Sequence, residues 1–166
     1  MFKKGQYVMY KTDVCTVKDI KKNKYNNLEC YELEPVFDKT LKVSVPTNNK
    51  NGYLRKLLTK KEALDLIKQI PKVDVIETEN KNIENDYLNL LHTKSHLDLI
   101  KVIKTTYLRN KQRKEAKRSI GQKDDAYFKM AEKCLYEELS VVFNLSYDDT
   151  KNYVIKKIKE ECCDEK

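Results

Sequence analysis

The stretch TLKVSVPTN, residues 40–48, alternates Leu41, Val43 and Val45 with polar neighbours until Pro46 ends the run. This alternation predicts a β-strand with one apolar and one polar face, because successive side chains of a strand point to opposite sides. So short a strand is stable only as part of a sheet. What its polar face and its backbone edge bind is therefore the first question about function.

The first 58 residues carry several more short strand patterns. The candidates are QYVMY (6–10), VCTVKDI (14–20), LECYELEPVF (28–37) and YLRKLL (53–58). In the second of these, the alternation places Cys15, Val17 and Asp19 on one face. The Lys- and Asn-rich residues 21–27 predict a hairpin tip. Short strands joined by short polar turns indicate a small antiparallel barrel or meander, which residues 53–58 are expected to close.

At Thr59 the period of the apolar residues changes from that of a strand to that of a helix. Thr59 and Glu62 have the spacing of a capping box, which predicts that a helix begins there. Further helices are predicted over residues 83–91, 95–118, 123–144 and 146–160. The apolar face of the 95–118 helix is predicted to consist of Leu99, Ile100, Ile103, Tyr107 and Leu108. The sequence thus predicts an α+β protein with a β module over 1–58 and a compact all-helical module over 59–166.

The composition is basic and contains no membrane-spanning pattern. The 34 Lys and Arg residues exceed the 26 Asp and Glu residues by eight, and the excess lies in residues 1–120. A basic surface favours a polyanion or an acidic protein as partner, but a well-solvated lysine-rich surface explains the composition too. No apolar run has the ~18 residues that a spanning helix needs. Five cysteines without a C-x-x-C spacing lead us to expect free thiols in a cytoplasmic protein.

The sequence contains no recognisable catalytic constellation. Its three glycines build no phosphate-binding loop, and no serine stands in a G-x-S-x-G elbow. His92 and His96 are four residues apart, but no third metal ligand follows at a recognisable spacing, so we predict two exposed histidines near a helix start. We therefore expect a binding protein rather than an enzyme, with neither cofactor nor metal.

One segment, RNKQRKEAKR at residues 109–118, concentrates positive charge. Against Glu115 alone it carries Arg109, Lys111, Arg113, Lys114, Lys117 and Arg118. A solvated helix end explains these cations, since positive charge is favoured near a helix C-terminus. Contact with a phosphate backbone explains them equally well. Lys101 and Lys104 are the second place where phosphate contacts are expected.

Several of these stretches, in this order, resemble the CarD/CdnL family of bacterial transcription regulators. FKKGQYVMY (2–10) followed by VCTVKDI is similar to the family's opening, and LKVSVPTNN (41–49) to its strand that ends in Val-Pro. The helical half is similar through LRKLLTKKEALDLIKQI (54–70), LIKVIKTTYLRNKQ (99–112) and AEKCLYEELSVVFNLSYDDTKNYV (131–154). The resemblance covers residues 2 to about 160. The same fold occurs as the polymerase-interacting domain of transcription-repair coupling factors.

The resemblance implies a fold, two partners and two sets of site residues. It implies a Tudor-like β-barrel that binds the RNA polymerase β subunit and a helical domain that meets promoter DNA, so that open-complex stability changes. The strand matching 40–46 would pair with a strand of the polymerase, with Leu41, Val43 and Val45 facing the barrel core. The polymerase-binding residues would be Lys22, Lys24, Lys42, Val43, Ser44, Val45 and Pro46. The DNA-binding residues would be Lys101, Lys104, Arg109, Lys111, Arg113 and Lys114.

The chain departs from the family pattern at two functional positions. Ser44 stands where the family often carries an arginine, so a bidentate contact to a carboxylate is missing. Some members wedge a tryptophan against the minor groove; this chain has no Trp, and the matching position falls near Asn80. We expect a monomeric transcription regulator. The alternatives are a general nucleic-acid-binding or ribosome-associated factor and a polymerase adaptor without DNA contact.

Overall fold

A computed structural model describes residues 1–23, 27–77, 82–93 and 95–164. For residues 162–164 it describes the backbone alone. The chain divides into two compact units, Met1–Leu58 and Thr59–Lys166. The first is an antiparallel sheet and the second is helical, so the chain is an α+β protein as predicted.

In the part of the first unit that the structure describes, the sheet has five strands. They are β1 (Tyr7–Tyr10), β2 (Asp13–Lys22), β3 (Glu29–Pro35), β4 (Val43–Pro46) and β5 (Leu54–Arg55), in the spatial order β4-β3-β2-β1-β5. Within the described residues no ladder joins β4 to β5, so residues 53–58 extend the sheet at β1 and do not close it by hydrogen bonds. The β1–β2 hairpin turns at Lys11 with φ +54°, the left-handed conformation that such tight turns require.

A bulge in β2 explains why its alternation is imperfect. The register with β3 shifts between Val17 and Asp19, and an extra residue inverts the faces of all residues beyond it. Cys15 and Val17 lie in the core, and after the bulge it is Ile20 that packs against the same cluster. The prediction that Asp19 shares the face of Cys15 and Val17 is therefore wrong. The cluster is completed by Val8, Tyr31, Leu33, Val45 and Leu54.

In the described residues, the second unit contains five α-helices. They are α1 (Lys60–Gln69), α2 (Ile83–Thr93), α3 (His96–Glu115), α4 (Gln122–Phe143) and α5 (Tyr147–Asp164), with a 3₁₀ turn at Ile70–Lys72. The predicted capping box is present at α1, where Thr59 and Glu62 bond reciprocally. Its buried face consists of Ala63, Leu66 and Ile67. At the start of α5, Ser146 Oγ accepts from the Asp149 N–H at 3.1 Å.

The buried face of α3 differs from the predicted one at its C-terminal end. Leu99 and Ile100 are buried, but Tyr107 and Leu108 are exposed, and Thr105 and Thr106 are buried instead. Threonine is tolerated there because its hydroxyl bonds back to the helix: Thr105 Oγ1 donates to the Lys101 carbonyl at 2.7 Å, and Thr106 Oγ1 to that of Val102 at 2.7 Å.

One of the two histidines is not exposed, contrary to the prediction. His92 is exposed, but His96 Nε2 lies 2.7 Å from Oε2 of the buried Glu138 on α4. Among the described residues no group of three or more His, Cys, Asp or Glu side chains is arranged to hold a metal ion. Cys15, Cys30 and Cys134 are buried. No helix in the described ranges is long and apolar enough to span a bilayer.

Candidate protein and nucleic-acid interfaces

The strand that opened the sequence analysis lies at one edge of the sheet. β4 pairs with β3 on one side, with Leu33 opposite Val43 and Tyr31 opposite Val45. Val45 belongs to the core cluster and Val43 packs against it, as expected. Leu41 does not: its side chain is 54% exposed, and the strand begins only at Val43. The reason is Asp38, whose Oδ1 accepts the Thr40 N–H at 3.1 Å and holds residues 38–40 in a turn.

The hydrogen-bond pattern decides which backbone groups of β4 point outward. The Thr47 N–H donates to the Glu29 carbonyl at 2.9 Å, so this pair is a hydrogen-bonded one. Antiparallel partners alternate between bonded and non-bonded pairs, so Val45 and Val43 also bond inward to β3. Ser44 and Pro46 then direct their backbone groups away from the sheet. Of the residues predicted to pair with a partner strand, Ser44 is placed to do so and Val43 and Val45 are not. Pro46 has no N–H, and its carbonyl accepts the Asn49 N–H at 3.2 Å.

Proline is compatible with this position for the same reason. The nitrogen of Pro46 faces the outer edge, where a missing N–H costs no bond to β3. Ser44 is exposed, and in the part of the chain that the structure describes nothing accepts a hydrogen bond from its outward N–H. The edge therefore offers one donor and one acceptor, namely the Ser44 N–H and the Ser44 carbonyl, since the Pro46 carbonyl accepts the Asn49 N–H at 3.2 Å.

The opposite edge of the sheet is covered by a side chain. Leu54 of β5 directs its backbone outward, and the Asn49 amide bonds both groups: Asn49 Oδ1 accepts the Leu54 N–H at 3.0 Å, and Asn49 Nδ2 donates to the Leu54 carbonyl at 2.8 Å. Asn49 reaches this position with φ +46°, which asparagine tolerates better than most residues. An edge strand is a template for another strand unless it is blocked. β5 is blocked in this way, and β4 is not.

Charged residues surround a cavity of about 300 Å³ near β4. It is lined by Lys18, Asp19, Lys21, Glu32, Leu33, Glu34 and Lys42. Lys18 Nζ lies 2.9 Å from Glu34 Oε1 and lowers the pKa of that carboxyl, mainly through their hydrogen bond. The predicted partner contacts Lys22 and Lys42 are exposed, at the end of β2 and just before β4. Lys24 lies outside the described residues, as does Asn80.

The predicted DNA contacts on α3 divide into occupied and exposed side chains. Lys104 Nζ donates to the carbonyls of Ile70, Pro71 and Val73. These bonds hold the 3₁₀ turn against α3. Arg109 Nε donates to both carboxylate oxygens of Asp124 at 3.2 Å. Lys101 is half-buried, whereas Lys111 and Lys114 are exposed. Lys111 and Lys114 are therefore the best placed of this set to meet a phosphate backbone.

Asp124 is a functional residue that the sequence analysis missed. It lies in the first turn of α4, is 3% exposed, and accepts a hydrogen bond from the Tyr87 hydroxyl at 2.9 Å as well as the two from Arg109. Burial, together with the bond to Asp124, raises the pKa of Tyr87 far above its ordinary value. An acidic residue in the first turn of a helix is common, so no sequence signal distinguishes this buried one.

Comparison with known proteins assigns the chain to no family. No family model matches the chain. No curated protein matches it either.

Proposed function

We propose that the first unit binds the β subunit of RNA polymerase by strand addition at β4, while the second unit touches promoter DNA through phosphate contacts. Open-complex stability would change as a result. The observation that carries the proposal is the contrast between the two edges of the sheet. The Asn49 side chain blocks β5, whereas in the described part of the chain the backbone N–H and carbonyl of Ser44 on β4 remain open. Strand addition uses such groups for affinity and alternate side chains for specificity.

The choice of RNA polymerase as the partner rests on the resemblance to the CarD/CdnL family. The family's Val-Pro strand corresponds to Val45 and Pro46, and this strand is the open edge of the sheet. The mixed charges near β4, from Lys18 and Glu34 to Lys42, offer ion-pair partners of both signs beside the edge. They supply a selectivity that the short strand alone lacks.

A Tudor-like barrel is part of the same proposal. Val45 of β4 and Leu54 of β5 come from strands at opposite ends of the sheet order, and both belong to one buried cluster. A flat sheet keeps such residues apart, so their contact with a common core supports a strongly curled sheet. The bulge at Val17–Asp19 supports it too, because bulges bend strands and increase their twist.

One observation favours an adaptor without DNA contact as the second candidate. Lys104 and Arg109 bond inside the helical unit, so two of the six predicted DNA-binding residues serve its structure. The remaining exposed lysines, Lys111 and Lys114, make at most weak contacts that carry no sequence information.

Binding titrations of the full chain against three partners separate the candidates. The partners are the purified polymerase β subunit, a promoter duplex alone, and polymerase bound to that duplex. The proposal predicts binding to the β subunit, weak binding to free DNA and tighter binding to the assembled complex. An adaptor binds both polymerase forms equally. A general nucleic-acid-binding protein binds the duplex and not the β subunit, and that result contradicts the proposal.

A further inference from the structure

Three of the four arginines in the chain line one cavity. Arginine occurs only at positions 55, 109, 113 and 118, although the chain has 34 basic residues, so lysine is its usual cation. The cavity holds about 240 Å³ and is lined by Arg109, Gln112, Arg113, Ala116 and Arg118. Lysine serves as well as arginine wherever a point charge suffices, whereas a planar fork of donors is specific to arginine. Composition alone therefore does not explain the cluster.

The end of α3 brings Arg118 back beside Arg113. Lys117 takes φ +55°, the Lys117 N–H donates to the Lys114 carbonyl at 3.0 Å, and the Arg118 N–H donates to the Arg113 carbonyl at 2.8 Å. These two bonds are those of a Schellman motif, which ends a helix and reverses the chain. Arg118, which the sequence pattern placed on the helix, thus leaves it and completes the wall of the cavity.

A buried carboxylate orients two of the arginines. Asp124 accepts two bonds from Arg109 Nε, and its Oδ2 lies 3.9 Å from Arg113 Nε. Asp124 pairs with Arg109 and Arg113 but not with Arg118, and the three arginines of the wall against this one carboxylate leave a net charge of +2. The ion pair with Asp124 explains Arg109 and part of the position of Arg113. That ion pair does not explain Arg118, whose side chain is exposed and bonds to no other side chain in the described ranges.

Gly121 lets the start of α4 come close to this cluster. A Cβ at that position would lie 3.0 Å from Asp124 Oδ2 and 3.3 Å from both Cζ and Nε of Arg113. Any side chain at this position would therefore press on the groups that hold Arg113 in the wall. The Gly121 N–H donates to Asn110 Oδ1 at 3.1 Å, which ties the connection between the helices to α3.

We propose that this arginine cavity binds a single phosphate group, carried either by a small phosphorylated molecule or by a nucleic-acid backbone. Guanidinium forks match pairs of phosphate oxygens, and the net charge of +2 suits a phosphate monoester dianion. If a nucleic acid carries the phosphate, this inference rests on the proposed DNA contact and gives it a defined anchor. If a small molecule carries it, the site stands without any DNA contact.

The test follows the arginine side chains of the full chain directly. The Nε–Hε signals of the arginines in the ¹⁵N-labelled protein are assigned with single Arg→Lys variants, and adenosine monophosphate and a short DNA duplex are titrated separately. We expect the Arg113 and Arg118 signals to shift with one ligand or both. Arg118→Gln should weaken that binding roughly tenfold or more, the range for a charge-assisted hydrogen bond.

Two further variants separate a defined site from diffuse attraction. Lys156→Gln removes the same charge from an exposed position on α5, and Lys156 neither lines the cavity nor belongs to the predicted DNA contacts, so it should weaken binding by less than about twofold. Gly121→Ala changes no charge, and it should weaken binding because its Cβ displaces Arg113. Its thermal unfolding is measured in parallel, and the Arg118→Gln result decides the matter if Gly121→Ala does not fold.

The outcomes show which kind of ligand carries the phosphate and which results would overturn the proposal. Shifts with adenosine monophosphate assign the site to a small phosphorylated molecule, and shifts with the duplex alone assign it to a backbone phosphate. The absence of shifts with both ligands overturns the inference, and so does equal weakening by Lys156→Gln and Arg118→Gln. Polymerase binding at β4 involves none of these residues, so its success or failure is measured independently.

Discussion

At the scale of single residues, Ser44 and Val45 are neighbours with opposite backbone roles. The N–H of Val45 bonds to β3, while that of Ser44 points to the outer edge, as the alternation from the Thr47–Glu29 bond requires. Their side chains also point to opposite faces of the sheet, since Val45 is buried and Ser44 is exposed. The outer edge of β4 is therefore built from residues whose side chains carry no distinctive sequence signal.

This difference predicts unequal effects of proline at the two positions. Ser44→Pro removes no bond to β3 and should lower the free energy of unfolding by less than about 1 kcal/mol. Val45→Pro removes a ladder bond and a core side chain, and should cost about 3 kcal/mol or more. Urea unfolding followed by circular dichroism measures both. Equal destabilisation would mean that the inferred direction of the Ser44 N–H is wrong.

Asp124 and Asp125 form a second pair of neighbours with opposite environments. Asp124 is buried against Arg109 and Tyr87, whereas Asp125 pairs with Lys129 at the surface. Asp124→Asn should lower the free energy of unfolding by about 2–4 kcal/mol, because it leaves the Arg109 charge without its carboxylate. Asp125→Asn is the matched control and should change it by less than about 0.5 kcal/mol. Similar values from urea unfolding would show that the Asp124 network contributes little.

At the scale of elements, the sequence predicted the positions of the helices better than it predicted which of their faces are buried. The change of period at Thr59 and the capping-box spacing of Thr59 and Glu62 place α1 correctly, because both signals are local. The apolar spacing of α3 failed at Tyr107 and Leu108, since burial there depends on which helices cover the face. Buried Thr106 bonds within its own helix, and no periodicity reports that bond.

The edge of the sheet could be predicted only in part. Alternation located the strand, but Leu41 was excluded from it by a turn that the Asp38 side chain stabilises. The contrast between β4 and β5 depends on Asn49, five residues from Leu54 in a loop, and such a side-chain bond to a backbone edge has no sequence pattern. Long-range partners, such as Asp124 for Arg109, are equally invisible before the fold is known.

The α1 capping box should also make stability depend on pH. Glu62 Oε2 accepts the Thr59 N–H at 2.7 Å and the Thr59 hydroxyl at 2.8 Å, and these bonds, that of the backbone first, lower the pKa of Glu62 from its ordinary 4.5. A pKa that is lower in the folded state stabilises the fold above the unfolded value, and this contribution is lost as the pH falls through the folded one.

Glu62→Gln tests this contribution because it keeps the shape of the side chain and removes its titration. Urea unfolding at a series of pH values should show a weaker loss of stability below about pH 4.5 than in the parent chain. Thr59→Val removes the hydroxyl but keeps the backbone donor, so its effect should be smaller. An unchanged pH dependence in Glu62→Gln would show that the capping box is too exposed to matter.

At the scale of the whole molecule, net charge and local structure make different predictions for DNA binding. The sequence analysis treated the cations of residues 109–118 as one group. The structure separates exposed Lys111 and Lys114 from Arg109, which bonds to Asp124. Charge spread over the surface and charge at the end of α3 should therefore be distinguishable by the salt dependence of binding.

The double variant Lys111→Gln/Lys114→Gln should flatten that dependence. Each phosphate contact that is lost reduces the slope of log K against log [salt] by about 0.9 on duplex DNA. The matched control is Lys156→Gln/Lys159→Gln, which removes two exposed charges from α5. Fluorescence anisotropy with a labelled duplex gives the slopes. Equal slopes for the two double variants would place the phosphate contacts away from the end of α3.

The central claim, strand addition at β4, is tested most directly by polymerase binding of Ser44→Pro and Ser44→Ala. Ser44→Ala keeps the outward N–H, whereas Ser44→Pro removes it and leaves the bonds to β3 intact. Titration of each full-length variant against the purified β subunit, with the fold checked by circular dichroism, should show affinity close to that of the parent chain for Ser44→Ala. For Ser44→Pro it should be weaker by roughly tenfold, the worth of a buried backbone hydrogen bond in an interface. Equal affinities in two folded variants would contradict the account.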